Sequence, residues 1–378
     1  MRTPPIRKRK TRPARAARRP RRIDDETQSE TARRLRPTSP GVVATSRHPR
    51  CRNRRRGPAS AAFDTNRTRE AWRRPVTEID RRSVLAGGVA VAATALALPA
   101  RASASLEKTI PSSGERTPAI GLGTWITFNV GRDQALRDEC AEVMRAFFDG
   151  GGRMIDSSPM YGSSQGVVGY GLEKLGRPEA LFSAEKVWTS SGRDGPVQIE
   201  ATRGLWGVQR FDLLQIHNLL AIDAHLETLD RMKRDGEVRY VGVTTSEGRR
   251  HADLEKLLQS RTLDFVQLTY NPVDREAERR LLPIAQERGV AVIVNRPFRQ
   301  GDLTQALDGK PLPGVAKDLG AESWAQLILK FCISHPAVTC AIPATTSVPH
   351  VRENLAAAAG PMPDEAMRER IARAIAAA

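Results

Sequence analysis

The chain has 378 residues and a formal net charge of +17, and this charge is confined to one end. Residues 1–75 contain 24 of the 60 Lys and Arg residues but only 6 of the 43 Asp and Glu residues, which leaves a net charge of −1 on the rest. The basic character of the chain therefore belongs to the first 75 residues alone. The cysteines include no CxxC pair, which excludes a disulfide framework or a cysteine metal site. A single Cys332–Cys340 bridge stays open.

The basic extension, residues 1–75, is rich in Arg, Pro, Ser and Thr and has almost no apolar periodicity. Such a segment cannot bury enough apolar surface to offset the entropy of ordering, so we predict that it is disordered. Two interpretations stay open. The extension is a basic arm that binds nucleic acid non-specifically through phosphates, or it is not translated and the protein starts at Val76. The second is favoured by the segment that follows.

Residues 76–104 have the layout of an export signal. Arg81-Arg82 precedes the uncharged, Ala-rich stretch Ser83–Ala100, and the small residues Ala102-Ser103-Ala104 follow as a cleavage site. The adjacent arginines resemble the twin-arginine signal that the twin-arginine export machinery recognises. Weak hydrophobicity and Pro99 argue against a permanent membrane span. We therefore predict export to the periplasm or the extracellular space, with a cytoplasmic location as the alternative.

From residue 105 to 378, eight apolar runs alternate with segments of helical spacing such as Ala224–Arg234, Arg275–Arg288 and Glu322–Ser334. The runs lie at 119–123, 153–156, 181–187, 211–216, 238–243, 264–269, 290–294 and 338–342. Eight alternating units predict an α/β fold, a (β/α)8 TIM barrel, and Lys108–Pro118 predicts an N-terminal β-hairpin before it. A doubly wound open sheet is the alternative, which the missing third glycine after Gly121-Leu122-Gly123 disfavours.

Four chemically active side chains follow consecutive predicted strands. Asp156 ends the second run, Tyr161 lies in the loop after it, Lys186 ends the third run and His217 follows the fourth. In a barrel, the carboxyl ends of all strands meet at one mouth, so these side chains should converge there. A Lys ammonium beside a tyrosine lowers its pKa from about 10, and a carboxylate keeps that lysine charged. The set predicts a tyrosine that donates a proton.

These residues and their surroundings resemble the aldo-keto reductase superfamily over about 108–360. The motifs are Gly121-Leu-Gly-Thr-Trp125, Asp156-Ser-Ser-Pro-Met-Tyr161-Gly, Ser183-Ala-Glu-Lys-Val-Trp188, Asp212-Leu-Leu-Gln-Ile-His-Asn218 and Ala341-Ile-Pro-Ala-Thr-Thr-Ser347 through Asn354. The resemblance implies a barrel that binds a nicotinamide dinucleotide and reduces a carbonyl. It implies that Tyr161 is the general acid, Lys186 its neighbour, Asp156 the lysine's partner and His217 the residue that orients the carbonyl. Trp125, Met160 and Trp188 are candidate pocket walls.

The resemblance also implies a cofactor site on later strands. The predicted cofactor-binding residues are Thr244, Thr245, Gln267, Asn295, Arg296, Phe298, Thr345, His350 and Asn354. Several depart from the family pattern: Thr245 replaces an amide, Asn295 stands where many members have a stacking Tyr, and Ala344 and His350 replace a Lys and an Arg that hold a 2′-phosphate. Both NADPH and NADH therefore remain open as the cofactor.

We thus predict an NAD(P)H-dependent oxidoreductase that converts an aldehyde or ketone to an alcohol, or the reverse. The alternative is a non-catalytic nicotinamide-binding regulatory or scaffold protein on the same barrel. The remaining histidines have no ligand spacing, so no metal is predicted. The partners that we predict are a small-molecule carbonyl or alcohol substrate and the export machinery, with no specific nucleic acid and no assigned oligomeric state.

Overall fold

The computed structural model describes residues 105–378. The predicted extension, 1–75, and the predicted signal, 76–104, lie outside the described residues. The described part begins with the predicted hairpin, in which strands β1 (Glu107–Thr109) and β2 (Arg116–Pro118) pair antiparallel. Its tip residue Ile110 is buried among side chains that fill the barrel, so the hairpin covers the end where the strands begin.

Eight parallel strands follow, and their order in the sheet is their order in the chain. They are β3 (Leu122–Gly123), β4 (Met154–Asp156), β5 (Phe182–Val187), β6 (Phe211–His217), β7 (Val238–Thr244), β8 (Phe265–Thr269), β9 (Ala291–Asn295) and β10 (Val338–Ala341). Parallel bridges Ile120↔Ala341 and Gly123↔Ala344 join the last strand to the first and close the ring. The predicted (β/α)8 barrel is confirmed, and the open sheet is wrong.

Close packing at the closure requires a glycine. A Cβ on Gly123 would lie 2.6 Å from the carbonyl oxygen of Ile342, too close for any other residue without a backbone shift. The first strand is shorter than its apolar run because only isolated bridges, not a continuous ladder, connect it to β10.

Helices surround the ring, some packing on its strands and others, such as α11, on neighbouring helices. They are α1 (Gln134–Asp149), α2 (Ser164–Lys174), α3 (Gly195–Trp206), α4 (Ile222–Arg234), α5 (His251–Ser260), α6 (Leu281–Glu287), α7 (Asp302–Ala306), α8 (Gly314–Asp318), α9 (Trp324–Ser334), α10 (Val348–Ala356) and α11 (Glu365–Ala377). Among residues 105–378, none of them is long and apolar enough to cross a membrane.

One predicted helix is divided. The segment predicted at 275–288 forms a short 3₁₀ helix, Glu276–Arg279, and then α6, with Arg280 between them at φ −142°. Pro283 explains the break, because a proline in mid-helix lacks the N–H that the fourth residue before it would bond. Restarting the helix at Leu281 puts the proline in the first turn, where that N–H has no helical partner anyway.

Along the six strands β4 to β9, the residues that face the interior of the barrel change from apolar to polar. Near the strand starts they are apolar, and they form one buried cluster that includes Met154, Phe182, Leu213, Tyr240 and Phe265. Two or four residues further on, still on the inward face, they are polar. These polar residues are Asp156, Lys186, Gln215, His217, Thr244, Gln267, Thr269 and Asn295. The two-residue period of a strand thus places a polar layer above an apolar floor.

The three cysteines of the described part, Cys140, Cys332 and Cys340, are all free and buried. Cys332 and Cys340 therefore form no bridge. Cys332 lies on α9, and Cys340 lies on β10 among the side chains of the barrel interior. Both thiols act as small apolar groups in the core, since burial raises the pKa of each.

Candidate active site

A buried ion pair lies at the centre of the polar layer. Lys186 Nζ donates to Asp156 Oδ1 at 2.6 Å and to the backbone carbonyl of Ser157 at 2.7 Å, and both side chains are almost completely inaccessible to solvent. Burial lowers the pKa of Lys186, but the charges of Asp156, Tyr161 and Glu185 act more strongly in the other direction and raise it. Lys186 is therefore a permanent cation beneath the mouth of the barrel.

Local sequence positions Tyr161 over this pair. Ser158 is extended and caps the 3₁₀ helix Pro159–Tyr161, accepting from the Met160 N–H with its hydroxyl and from the Tyr161 N–H with its carbonyl. Gly162 then turns the chain at φ +62°, where a Cβ would lie 2.3 Å from Asn129 Oδ1. The turn leaves the Tyr161 ring with its centroid 5.2 Å from Lys186 Nζ.

The acidity of Tyr161 differs from the sequence prediction. Burial raises the pKa of Tyr161 to about 12, with smaller upward contributions from Asp156 and Glu185, while Lys186 lowers it. The lysine acts in the predicted direction, but burial outweighs it because the phenolate loses its hydration. In the resting protein Tyr161 therefore keeps its proton throughout the neutral range.

His217 is the fourth member of the group. Its ring meets that of Tyr161 edge to face, with centroids 5.8 Å apart, and its Nδ1 lies 2.7 Å from Ser158 Oγ. Burial, with a smaller contribution from the Lys186 charge, lowers the pKa of His217 to about 3. The imidazole is consequently neutral at physiological pH, and the structure brings all four predicted catalytic residues together.

Three further residues complete the group, in a role that was not predicted for them from the sequence. Gln215 Nε2 and Gln267 Nε2 donate to Asp156 Oδ2 at 3.3 and 2.8 Å. The Ser158 hydroxyl lies within hydrogen-bond distance of the His217 ring. Gln215 was predictable from the two-residue period of a strand, because it lies two residues before His217 and therefore faces the barrel interior as well. The contact between Ser158 and His217 spans 59 positions, and no local signal predicts it.

A second buried carboxylate, Glu185, lies on the opposite face of β5. It accepts from Gln165 Nε2 at 3.0 Å, from Trp206 Nε1 at 2.7 Å and from the Lys186 backbone N–H at 2.8 Å. Burial raises the pKa of Glu185 to about 7. Gln165 supplies an amide donor to this carboxylate, where a second carboxylate would repel it.

A cavity of about 850 Å³ opens above these residues and extends past the ends of the later strands. Asp156, Tyr161 and His217 line it, together with Trp125 and Met160, whereas Trp188 is outside it. Eight of the nine predicted cofactor-binding residues also line it: Thr244, Gln267, Asn295, Arg296, Phe298, Thr345, His350 and Asn354. The cavity therefore has the volume and lining for an extended dinucleotide beside a small substrate.

Thr245 is the exception among the predicted cofactor residues. It is buried but does not line the cavity, and its hydroxyl has no hydrogen-bond partner. The strand period explains this, because Thr244 faces inward and its neighbour must face the opposite way. Its backbone carbonyl still takes part, accepting from Asn295 Nδ2 at 2.9 Å.

The side-chain amides of Gln267 and Asn295 both accept hydrogen bonds from threonine hydroxyls. Gln267 Oε1 accepts from the Thr244 hydroxyl at 2.9 Å, and Asn295 Oδ1 accepts from the Thr269 hydroxyl at 2.7 Å. These bonds hold both amides in fixed orientations on the cavity wall. Gln267 Oε1 also accepts from Asn295 Nδ2 at 3.5 Å, whereas Asn295 Oδ1 keeps a second lone pair that a nicotinamide carboxamide could bond, so the residues present fit the predicted cofactor.

Arg296 reaches across the cavity wall. Its guanidinium lies 5.4 Å from the ring centroid of Trp125 and pairs with Glu247 at 2.5 Å. Trp125 follows the first barrel strand, Glu247 the fifth and Arg296 the seventh. The contact therefore joins three loops around the mouth, and it places a cation on the wall of the predicted dinucleotide site.

The fold and these residues define an oxidoreductase built on a (β/α)8 barrel, and comparison with known proteins gives the family. The family model described as "Aldo/keto reductase family" matches residues 119–373. Methylglyoxal reductase YeaE of Escherichia coli (strain K12) is 28% identical over 259 residues, which are 66% of this chain and 89% of that protein. The NADH-specific methylglyoxal reductase of the same organism is 26% identical over 231 residues, 52% of this chain and 69% of that protein.

Among solved structures, an aldo/keto reductase from Klebsiella pneumoniae in complex with NADP and acetate has the same fold. It is 24% identical with a TM-score of 0.59, over 71% of this chain and 94% of that one. The chain belongs to the aldo/keto reductase family and is an enzyme of the oxidoreductase class. NADP is the dinucleotide bound in that solved structure, and NADH is the one for which the second Escherichia coli relative is named as specific.

Proposed function

We propose that this enzyme reduces an aldehyde or ketone to an alcohol with NADPH or NADH, and that Tyr161 donates the proton. The observation that carries the proposal is the juxtaposition at the cavity floor. A protonated phenol lies with its ring centroid 5.2 Å from a buried ammonium that a carboxylate holds at 2.6 Å. A neutral imidazole faces the same phenol at the same end of the cavity.

Reduced nicotinamide, when bound along the cavity, supplies the hydride for the carbonyl carbon. The protein's own part is the proton. As negative charge grows on the carbonyl oxygen, the Tyr161 hydroxyl transfers its proton to it. The phenolate that remains faces Lys186, whose charge opposes the cost of burying an anion and so lowers the barrier. Asp156 keeps that lysine charged, and its own carboxylate is held by two amides.

His217 provides a second polar contact for the carbonyl oxygen. Because its pKa is lowered to about 3, the ring is neutral and carries one N–H at working pH. A neutral donor polarises the carbonyl without offering a competing acidic proton. Trp125 and Met160 form the apolar part of the wall around this position, which favours a small or flat carbonyl compound. Methylglyoxal, the substrate in the names of two relatives, is the first compound to test.

The test is oxidation of NADPH or NADH, followed by absorbance, with methylglyoxal and a panel of aromatic and aliphatic aldehydes. We expect turnover in the wild-type protein and a loss of about 10²- to 10⁴-fold in kcat for Tyr161→Phe. Dinucleotide binding, measured by calorimetry, should persist in this variant.

Tyr170→Phe is the matched control. Its hydroxyl bonds Gln134 and Asp138 at the outer surface, away from the cavity, so turnover should stay near the wild-type value. Turnover that survives Tyr161→Phe, or that falls equally in both variants, would refute the role of Tyr161. Absence of turnover with every carbonyl and both cofactors would refute the proposed reaction.

We also propose that the protein is exported through the twin-arginine route. The support is sequence alone: Arg81-Arg82, the Ala-rich stretch after it and Ala102-Ser103-Ala104. Replacing Arg81 and Arg82 by Lys should retain the protein in the cytoplasm of an expression host. The same change at Arg279 and Arg280, an adjacent exposed pair on the barrel, should not, and the N-terminus of the exported protein should follow Ala104 by mass spectrometry. Equal export of both double variants would contradict the proposal.

A further inference from the structure

The side chain of Ser158 contacts the ring of His217 in the candidate active site. Ser158 is completely buried, and its Oγ lies 2.7 Å from Nδ1 of the imidazole. The same oxygen accepts the backbone N–H of Met160 at 3.2 Å. The serine therefore belongs both to the turn that carries Tyr161 and to the environment of His217.

The hydrogens that Ser158 and His217 carry determine which of the two is the donor in this hydrogen bond. The imidazole is neutral, so one ring nitrogen carries a hydrogen and the other is an acceptor. The serine hydroxyl has one hydrogen of its own, and its oxygen already accepts from Met160. Among the hydrogen bonds of residues 105–378, Nδ1 is the only acceptor available to that hydroxyl hydrogen.

In the opposite arrangement Nδ1–H would donate to Ser158, and the serine hydrogen would be buried without an acceptor. A buried donor that loses its partner carries an unfavourable desolvation free energy. The opposite arrangement would also leave Nε2 with a lone pair directed at the substrate. A lone pair there would repel the negative charge that develops on a carbonyl oxygen.

We infer that Ser158 is a positioning residue: its hydroxyl donates to Nδ1 of His217 and thereby keeps the ring hydrogen on Nε2, on the side of the substrate. Nε2 lies across the ring from Ser158, and no residue in the described part of the chain bonds it. His217 lines the cavity, so Nε2–H is free to donate to a carbonyl oxygen. The consequence for the reaction rests on the proposed function, whereas the position of the hydrogen does not.

One serine therefore aligns both groups that contact the oxygen of the substrate. Its carbonyl and hydroxyl hold the turn of Tyr161, and its hydrogen sets the tautomer of His217. The backbone contact survives loss of the side chain, so Ser158→Ala removes chiefly the contact with His217. Ser158→Thr keeps a hydroxyl on an extended residue that accommodates a β-branched side chain.

The first experiment reads the tautomer directly and needs no activity. The ¹⁵N shifts of His217 in the full-length protein, identified by their loss in His217→Gln, distinguish a protonated from an unprotonated ring nitrogen. We expect a hydrogen on Nε2 in the wild-type protein and in Ser158→Thr, and a mixture of both tautomers in Ser158→Ala. A hydrogen on Nδ1 in the wild-type protein, or an unchanged tautomer in Ser158→Ala, would overturn the inference.

The second experiment links the tautomer to the reaction. We expect Ser158→Ala to lower kcat/KM for the carbonyl by roughly 10- to 100-fold, with an unchanged dinucleotide Kd and recovery in Ser158→Thr. Ser183→Ala, which removes a buried serine hydroxyl from Asp212 at the far end of the barrel, is the control for lost stability. An equal loss in both alanine variants would overturn the catalytic consequence. Should the wild-type enzyme reduce no carbonyl, the proposed function fails, and the ¹⁵N result still decides the inference.

Discussion

Lys186 and Asp156 form an ion pair of 2.6 Å from which water is excluded, between an apolar floor and the mouth of the barrel. They come from adjacent strands, yet they do not face each other in register, because Asp156 pairs with Ala184 and Lys186 pairs with Gln215. The long lysine side chain spans the difference. The pair is satisfied on all sides: the ammonium also bonds the Ser157 carbonyl, and the carboxylate also bonds Gln215 and Gln267.

Lys186→Met should destabilise the protein strongly. The variant leaves the Asp156 carboxylate buried without a countercharge, so we expect the free energy of unfolding to fall by about 3–5 kcal/mol. Urea denaturation measures this change. The control is Lys174→Met, because Lys174 pairs with Asp138 on the outer surface, where solvent screens the interaction and the loss should be far smaller. Equal losses in the two variants would show that the buried pair is not special.

His217 should make stability depend on pH. The unfolded histidine takes up a proton near pH 6.5, whereas the folded one resists protonation until about pH 3, because burial and Lys186 disfavour the cation. Its contribution to stability is therefore complete above pH 6.5 and is lost as the pH falls toward 3, by up to about 1.4 kcal/mol per unit. Unfolding free energies of His217→Gln between pH 4.5 and 6.5 should fall less steeply than those of the wild-type protein. Parallel curves would contradict the expectation.

Arg296 should contribute to dinucleotide affinity and, if it reaches the 2′-phosphate, to selection of NADPH. Arg296→Met removes a cation from the cavity wall and should raise the Kd of NADPH about tenfold, and that of NADH less, because a charge-assisted bond to phosphate is lost. Isothermal calorimetry measures both. Arg299→Met is the control, because Arg299 pairs with Asp274 outside the main cavity. A greater loss for Arg299→Met would place the phosphate contact there.

Most of the barrel was predictable from the strand and helix periods. Seven of the eight apolar runs became strands within about one residue of their predicted ends, and the hairpin formed where Lys108–Pro118 predicted it. Apolar residues recur about every two residues in these strands and about every 3.6 residues in these helices. This recurrence is a local property of the sequence, so it predicts the elements. The split at Arg280 was missed, because the apolar period continues through it while the proline at 283 does not permit a continuous helix.

The convergence of Asp156, Tyr161, Lys186 and His217 was predictable for a different reason. Parallel strands joined by helices all end on the same side of the sheet. Residues at the strand ends therefore lie close together even when they are far apart in the sequence. The inward orientation of Thr244 and the outward one of Thr245 follow from the two-residue period of a strand. The resemblance placed both in the site, and of the two only Thr244 lines the cavity.

The sequence by itself determined the order of strands and helices, the end of the barrel that carries the chemistry and the residue types available there. Those outcomes depend on short-range periodicity and on chain connectivity. Only the tertiary structure decided how buried each group is and what it contacts across the ring. It therefore decided that Tyr161 is a weaker acid than its lysine neighbour suggests, that His217 is neutral and that Ser158 bonds its ring. Desolvation and long-range hydrogen bonds depend on distances between strands, which no local pattern of residues contains.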